Sequence, residues 1–335
     1  MRCMSEVNAL VAHQDAEGSI TLEHEIVDLS FLPDGDVQIA VEYSGINYKD
    51  ALAITPKGGV AREYPLIPGI DVAGTVTEST SSDFAVGDRV VAHGYDIGTG
   101  RHGGYADTAR FPAEYLVKLD ELTTAEAAAI GTAGFTAAMS VNAIRAAGIQ
   151  QADGPILVTG ATGGVGSVSV DLLAGLGYEV IASTGKSEAH DWLLALGATQ
   201  VIGRLPAEGE KVRALGKSQW AGVVDSVGGD TLAYALSTLN YGGTAVISGL
   251  ARSADLPTTV MPFILRGVTL AGIDSVQLPI GARRDVWRQL GGELKPRHLG
   301  EITKDVSVLE APDTLRTIVG GAVTGRTRVV VHDGF

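Results

Sequence analysis

The stretch that most restricts what this chain can become runs from Gly154 to Lys186, GPILVTGATGGVGSVSVDLLAGLGYEVIASTGK. Ile156, Leu157 and Val158 form a short apolar run of the kind buried in a parallel sheet. Gly160, Gly163, Gly164 and Gly166 then turn the chain into a segment carrying Val165, Val168, Leu172, Leu173 and Leu176, and a second apolar strand follows at Glu179 to Ser183. Strand, glycine turn, helix and strand in this order make up the dinucleotide-binding βαβ unit. A pyrophosphate can come close to the backbone only where no side chain intervenes, and the helix N-terminus offers it N–H groups and partial positive charge. Gly163, Gly164, Val165 and Gly166 are therefore the expected pyrophosphate site.

The end of the second strand indicates which dinucleotide. An NAD site places Asp or Glu there to bind the ribose hydroxyls. Here Ser183, Thr184, Gly185 and Lys186 occupy it, and Glu179 lies at the other end of the strand. Hydroxyls and a cation suit a 2′-phosphate, which a carboxylate would repel. Arg204, after an expected third strand at Gln200 to Ile202, adds a second positive charge. NADPH is the coenzyme these residues imply, the bland alternative being a solvated loop lysine and a surface arginine. Two competing motifs fail. A P-loop ending in Thr184 to Ser187 would need its leading glycine at Val180, and a short-chain dehydrogenase would need Tyr-x-x-x-Lys. Tyr178, Tyr234 and Tyr241 are followed four residues later by Ala182, Thr238 and Ala245.

Around this unit the text divides in two. From Val7 onward, short strands alternate with Gly and Pro turns: Val37, Ile39 and Val41 alternate after the turn Leu32 to Asp36, and Pro65 to Val76 and Phe84 to Ala92 follow. Near Leu122 to Thr124 this gives way to Ala-rich helical text. Thr124 is the expected cap of the first helix and Phe135 to Ala147 the second, with Gly131-Thr132-Ala133-Gly134 between them. After the glycine turn, helices and strands alternate through Ala221 to Ser226, Thr244 to Ser248 and Val268 to Ile273, a doubly wound parallel sheet of about six strands. The tail ends in RTRVVV, a strand expected to return to the first domain.

A length of 335 residues suits two domains. The formal charge of −14 argues against nucleic acid and acidic membrane surfaces as partners. The single cysteine, Cys3, excludes a disulfide within the chain and fits a reducing compartment. Met1 to Leu10 lacks the apolar core of a secretion signal, and the uncharged stretch Ala127 to Ile144 reads as a buried helix, so a cytoplasmic protein is expected.

With these pieces in order, the chain resembles the medium-chain dehydrogenase/reductase superfamily, and within it the zinc-free quinone oxidoreductase-like branch that includes NADPH-using acrylyl-CoA reductases. The match rests on NYKDALAITPKG (Asn47 to Gly58), PLIPGIDVAGTV (Pro65 to Val76), IGTAGFTA (Ile130 to Ala137), VTGATGGVGS, LNYGG (Leu239 to Gly243), LPTTVMPFILRGV (Leu256 to Val268) and GIDSV (Gly272 to Val276). It implies an α/β protein: a discontinuous GroES-like β domain, 1–124 and 265–335, and a Rossmann NADPH-binding domain, 125–264. Zinc-dependent relatives bind catalytic metal through Cys and His, whereas the corresponding text here reads Ser44-Gly45-Ile46-Asn47 and Gly69-Ile70-Asp71. One cysteine cannot build a four-cysteine lobe, and His93 and His102 lack partners at metal-ligand spacing, so no metal is expected.

Hydride chemistry without a Lewis acid points to an alkene that its own carbonyl polarises. The resemblance implies reduction of acryloyl-CoA to propanoyl-CoA. A quinone or enone oxidoreductase, and a non-catalytic crystallin-like NADPH-binding protein, are the alternatives. By the same resemblance Tyr48 lies beside the nicotinamide, the alternative being aromatic packing, and Leu250, Ile264 and Ser275 line the coenzyme; Asn47 and Ser44 either orient ring or substrate or cap a turn. Arg326 is a candidate for coenzyme or interface contact, and Arg283, Arg284 and Lys57 for the CoA phosphates. Asp71 is either the proton donor or a structural acceptor. The resemblance alone implies a homodimer through Val268 to Ile273.

Overall fold

The computed structural model describes residues 6–335. Cys3 lies outside the described residues. In chain order the strands and first helices are β1 (Glu6–Gln14), β2 (Ile20–Asp28), β3 (Val37–Ile46), α1 (Tyr48–Ala53), β4 (Asp71–Ser79), β5 (Arg89–His93), β6 (Thr108–Phe111), β7 (Leu116–Lys118) and α2 (Thr124–Ala146). The nucleotide-type text gives β8 (Ile156–Thr159), α3 (Gly164–Gly175), β9 (Val180–Ser183), α4 (His190–Ala195), β10 (Gln200–Ile202), β11 (Trp220–Asp225), α5 (Gly229–Thr238), β12 (Leu239–Ile247), α6 (Met261–Arg266) and β13 (Thr269–Gly272). The tail adds α7 (Ile280–Gly291), α8 (Leu299–Ile302), β14 (Thr303–Ser307), α9 (Ala311–Ile318) and β15 (Arg326–Val330).

Among the described residues the first compact unit comprises 6–132 together with Val276–Glu293 and Leu299–Phe335. Its main sheet has the order β14-β15-β3-β4-β5-β7, with β6 also on β3, and β1 and β2 form a separate hairpin. The C-terminal strand does return: β15 runs antiparallel to β3, with Thr327 opposite Ile46 and Val330 opposite Tyr43. Alternating residues fill the core, including Val37, Ile39, Val41, Val72, Val90, Phe111, Leu116 and Val329.

The second unit is Ala133–Ser275 with Leu294–His298. Its sheet is parallel throughout, in the order β10-β9-β8-β11-β12-β13. β8, β9 and β11 are buried at every position, which is why their sequences read as continuous apolar runs instead of alternating.

The unit boundaries differ from those expected. Residues 125–132 belong with the β unit, because their backbone is bonded into it: the Ala125 carbonyl accepts from Arg328 and the Ala129 carbonyl from Arg326. Residues 265–275 carry β13 and belong with the parallel sheet. Leu294–His298 joins that unit because the buried Asp171 carboxylate on α3 accepts from the His298 backbone N–H at 3.0 Å and pairs with Arg297 and the His298 ring. The expected cap also moves by one residue. Thr123 and Glu126 form the reciprocal capping pair at the start of α2, while the Thr124 hydroxyl donates to Glu42. The long apolar helix α2 is mostly buried inside the fold and is interrupted at Gly131.

Candidate functional site

In the second unit the strand order reverses at β8, which pairs with β9 on one side and β11 on the other. Open parallel sheets bind ligands outside the strand ends at such a switch point. The turn leaving β8 there is closed on itself: Gly160 has φ +58, Gly163 N–H donates to the Gly160 carbonyl at 2.9 Å, and a methyl group at Gly166 would collide with that carbonyl. Gly163 occupies the N-cap of α3, with Gly164, Val165 and Gly166 in its first turn, whose N–H groups point out of the helix end. The four expected pyrophosphate residues thus share one helix start.

The expected 2′-phosphate residues also gather there. The Thr184 hydroxyl lies 3.3 Å from that of Thr162 and accepts from the Lys186 N–H at 3.1 Å. The Arg204 guanidinium lies over Gly185 so closely that a β-carbon there would strike its Nε. Burial lowers the pKa of Lys186, and Glu188 partly restores it. Asp225 closes the same end of the sheet. Its buried carboxylate accepts from Thr159 Oγ1 at 2.9 Å and from the N–H groups of Val227 and Gly228, and burial raises its pKa. Sequence reading passed over Asp225, although the DSVGG text after a strand is a turn signal. Leu250 and Ile264 are exposed at 62% and 71%. Ser275 is buried, its hydroxyl accepting from Thr136 at 2.9 Å.

In the first unit, Tyr48 opens α1 and is 41% exposed, available to a ligand. Asn47, immediately before it, is tied into a buried polar cluster. Its Nδ2 donates to Asp71 Oδ2 at 2.8 Å and to Asp50 Oδ2 at 3.2 Å, and its Oδ1 accepts from Arg326 Nη1 at 2.9 Å. Both Nδ2 protons and one Oδ1 lone pair are thus engaged within the cluster, and Asn47 caps the start of α1. Arg326 is likewise buried, donating also to Asp71 Oδ2 at 3.1 Å and to the carbonyls of Ile46 and Ala129. This excludes it as a surface contact. Asp71 accepts in addition from the Thr132 N–H at 2.8 Å and hydroxyl at 2.6 Å, so it is the structural acceptor and not a proton donor. Ser44 is buried, its hydroxyl donating to the Asp71 carbonyl. Sequence reading named these residues separately; their convergence depends on β15 returning beside β3.

The donor set does not fit a catalytic zinc ion, because the Asp71 oxygens are taken by Arg326, Asn47 and Thr132 and, among the described residues, no thiol or imidazole joins them. Among the described residues no group of three His, Cys, Asp or Glu side chains could hold a metal. His93 is buried, its ring against Arg283 and accepting from Trp287 Nε1 at 2.9 Å; burial and the Arg283 charge hold it well below the usual histidine pKa. Arg283 is fully buried, donating to the His93 and Val276 carbonyls and lying over the Tyr95 ring. It cannot meet a CoA phosphate, whereas Arg284 and Lys57 are exposed.

The sequence matches the alcohol dehydrogenase GroES-like domain over residues 33–121 and the zinc-binding dehydrogenase domain over 164–291. It is 46% identical over 323 residues to YhfP of Bacillus subtilis, named as a quinone oxidoreductase, covering 96% of this chain and 98% of that one. The YhfP crystal structure with NAD bound has a TM-score of 0.94 over 97% of this chain and 99% of that one. The acrylyl-CoA reductase AcuI of Ruegeria pomeroyi is 45% identical over 327 residues, 97% of this chain and 99% of that one. The Escherichia coli YhdH structure with bound NADPH is 44% identical, with a TM-score of 0.93 over 96% and 99% of the two chains.

Proposed function

This chain belongs to the quinone oxidoreductase-like branch of the medium-chain dehydrogenase/reductase superfamily, and on that premise we propose that it is an NADPH-dependent reductase of the activated C=C bond of acryloyl-CoA, giving propanoyl-CoA without a metal ion. The observation that carries this reading is the grouping of Thr184, Lys186 and Arg204 beside the glycine turn, with no carboxylate at the end of β9. That arrangement fits a dinucleotide bearing a 2′-phosphate: first-turn N–H groups of α3 take the pyrophosphate, and the two cations and the threonine hydroxyl take the extra phosphate. Leu250 and Ile264 offer exposed apolar surface to the coenzyme.

Bound NADPH supplies a hydride, and the thioester carbonyl of the substrate already polarises the β-carbon that accepts it. The protein's part is to hold the two reactants in register and to solvate the oxygen on which negative charge develops. The family resemblance assigns this role to Tyr48, whose ring is exposed at the start of a helix that the buried Asn47 cluster anchors. The proton for the α-carbon comes from water or from a side chain other than Asp71. Lys57 and Arg284 remain for the CoA phosphates. The protein acts in the cytoplasm as a homodimer through β13, the edge strand of the parallel sheet.

A panel of acceptors with NADPH separates the readings. Turnover of acryloyl-CoA far above benzoquinone and a simple enone is expected. Equal turnover of all three favours a general quinone or enone reductase, and turnover of none a non-catalytic NADPH-binding protein.

A further inference from the structure

The buried cluster under α1 holds more negative than positive charge. Asp50 and Asp71 are both buried, and the Asn47 amide bridges them, 3.2 Å from one carboxylate and 2.8 Å from the other. The single guanidinium, Arg326, contacts Asp71. Among the described residues Asp50 receives N–H donors: Ile70 N at 2.7 Å on Oδ1, and Asn47 N at 2.8 Å with Asn47 Nδ2 on Oδ2. The other titratable group in the field of this pair is Tyr105, whose hydroxyl donates to the Gly45 carbonyl at 3.1 Å. On α9, the helix packed on α1, Asp313 and Arg316 pair with each other at the surface. With both carboxylates ionised the cluster carries one uncompensated negative charge out of water, which burial disfavours.

We propose that Asp50 is a positioning residue that gains and loses a proton in the native protein, its ionised form locking the start of α1, and with it Tyr48, through the Asn47 backbone N–H. When ionised, Asp50 accepts from that N–H and completes the helix start. When protonated, it gives up part of its acceptor capacity and the cluster becomes neutral. Burial first, and the neighbouring Asp71 charge second, push its pKa up to about 7, so both forms are populated near neutrality. The consequence for turnover rests on the reductase reading above; the consequence for the fold does not.

Carbon-13 NMR of the assigned Asp50 carboxyl in the wild-type protein is expected to show a midpoint near 7, with the Asn47 amide nitrogen shift following the same midpoint. An Asp50 carboxyl ionised throughout from pH 5 upward, or an Asn47 amide indifferent to its titration, overturns the proposal. The stability test has a definite sign. The native state holds this proton more tightly than the unfolded chain, whose aspartates titrate near the ordinary value of 3.8. Wild-type stability should therefore fall as pH rises between about 4 and 7 relative to Asp50→Asn, which has no proton to lose. Parallel urea midpoints across that range overturn it. For the reduction itself, kcat of the wild type is expected to rise through a step near pH 7 that Asp50→Asn lacks, with KM for NADPH changed less than about twofold. A step retained unchanged in the variant contradicts the positioning role. Where the variant does not fold, the wild-type titration decides alone, and it also decides if no acceptor is reduced.

Discussion

Cations that look alike in the sequence part company once their surroundings are known. Arg204 and Lys186 stay at the end of the parallel sheet, where the absence of a side chain at Gly185 leaves room for the Arg204 guanidinium. Arg326 and Arg283 are buried, one against Asp71 and the other against His93 and backbone carbonyls. No local pattern distinguishes the two kinds, because His93 lies 190 residues from Arg283 and Ile46 lies 280 residues from Arg326. The glycine turn and the residues proposed for the coenzyme are legible for the contrary reason: glycine spacing and a missing carboxylate are local facts. A charge-assisted hydrogen bond contributes about 1.5–3 kcal/mol. Arg204→Ala is therefore expected to weaken NADPH binding by roughly tenfold or more while changing NADH binding less than about twofold, measured by titrating nicotinamide fluorescence. Equal losses for both coenzymes would show that Arg204 does not face the 2′-phosphate.

Among the elements, α2 shows how a helix break serves the buried cluster. Gly131 adopts φ 51 and ψ −164, a conformation all but reserved for glycine. A β-carbon there would strike Arg326 Nη2 and Asp71 Oδ2, and one at Gly45 would come within 2.6 Å of the same carboxylate. The ion pair is thus packed between two glycines, and the break frees the Thr132 N–H to reach Asp71. The Gly131 to Gly134 text announced an interruption, but not its purpose, since Asp71 and Arg326 lie far off in sequence. Backbone strain of about 1–3 kcal/mol, together with displacement of a buried pair whose disruption costs about 3–5 kcal/mol, sets the expected effect. Gly131→Ala should lower the unfolding free energy in urea by about 3 kcal/mol or more. A loss below about 1 kcal/mol would mean that the cluster relaxes freely around a methyl group.

For the whole molecule, the βαβ alternation and the returning RTRVVV strand were readable because hydrophobic period and glycine punctuation dictate them. The short excursion Leu294–His298 was not, since it depends on Asp171, an acidic residue buried on an otherwise apolar helix. Nor could composition show that a chain of net charge −14 gathers Lys186 and Arg204 at one sheet end. That local reversal of sign bears most of the functional reading. The most direct test follows the oxidation of NADPH and of NADH by acryloyl-CoA, side by side, with protein freed of metal by exhaustive chelation. Rapid NADPH oxidation giving propanoyl-CoA, at a kcat/KM at least about tenfold above that with NADH, is the expected result. Activity abolished by chelation and restored by zinc, or NADH used as well as NADPH, would contradict it.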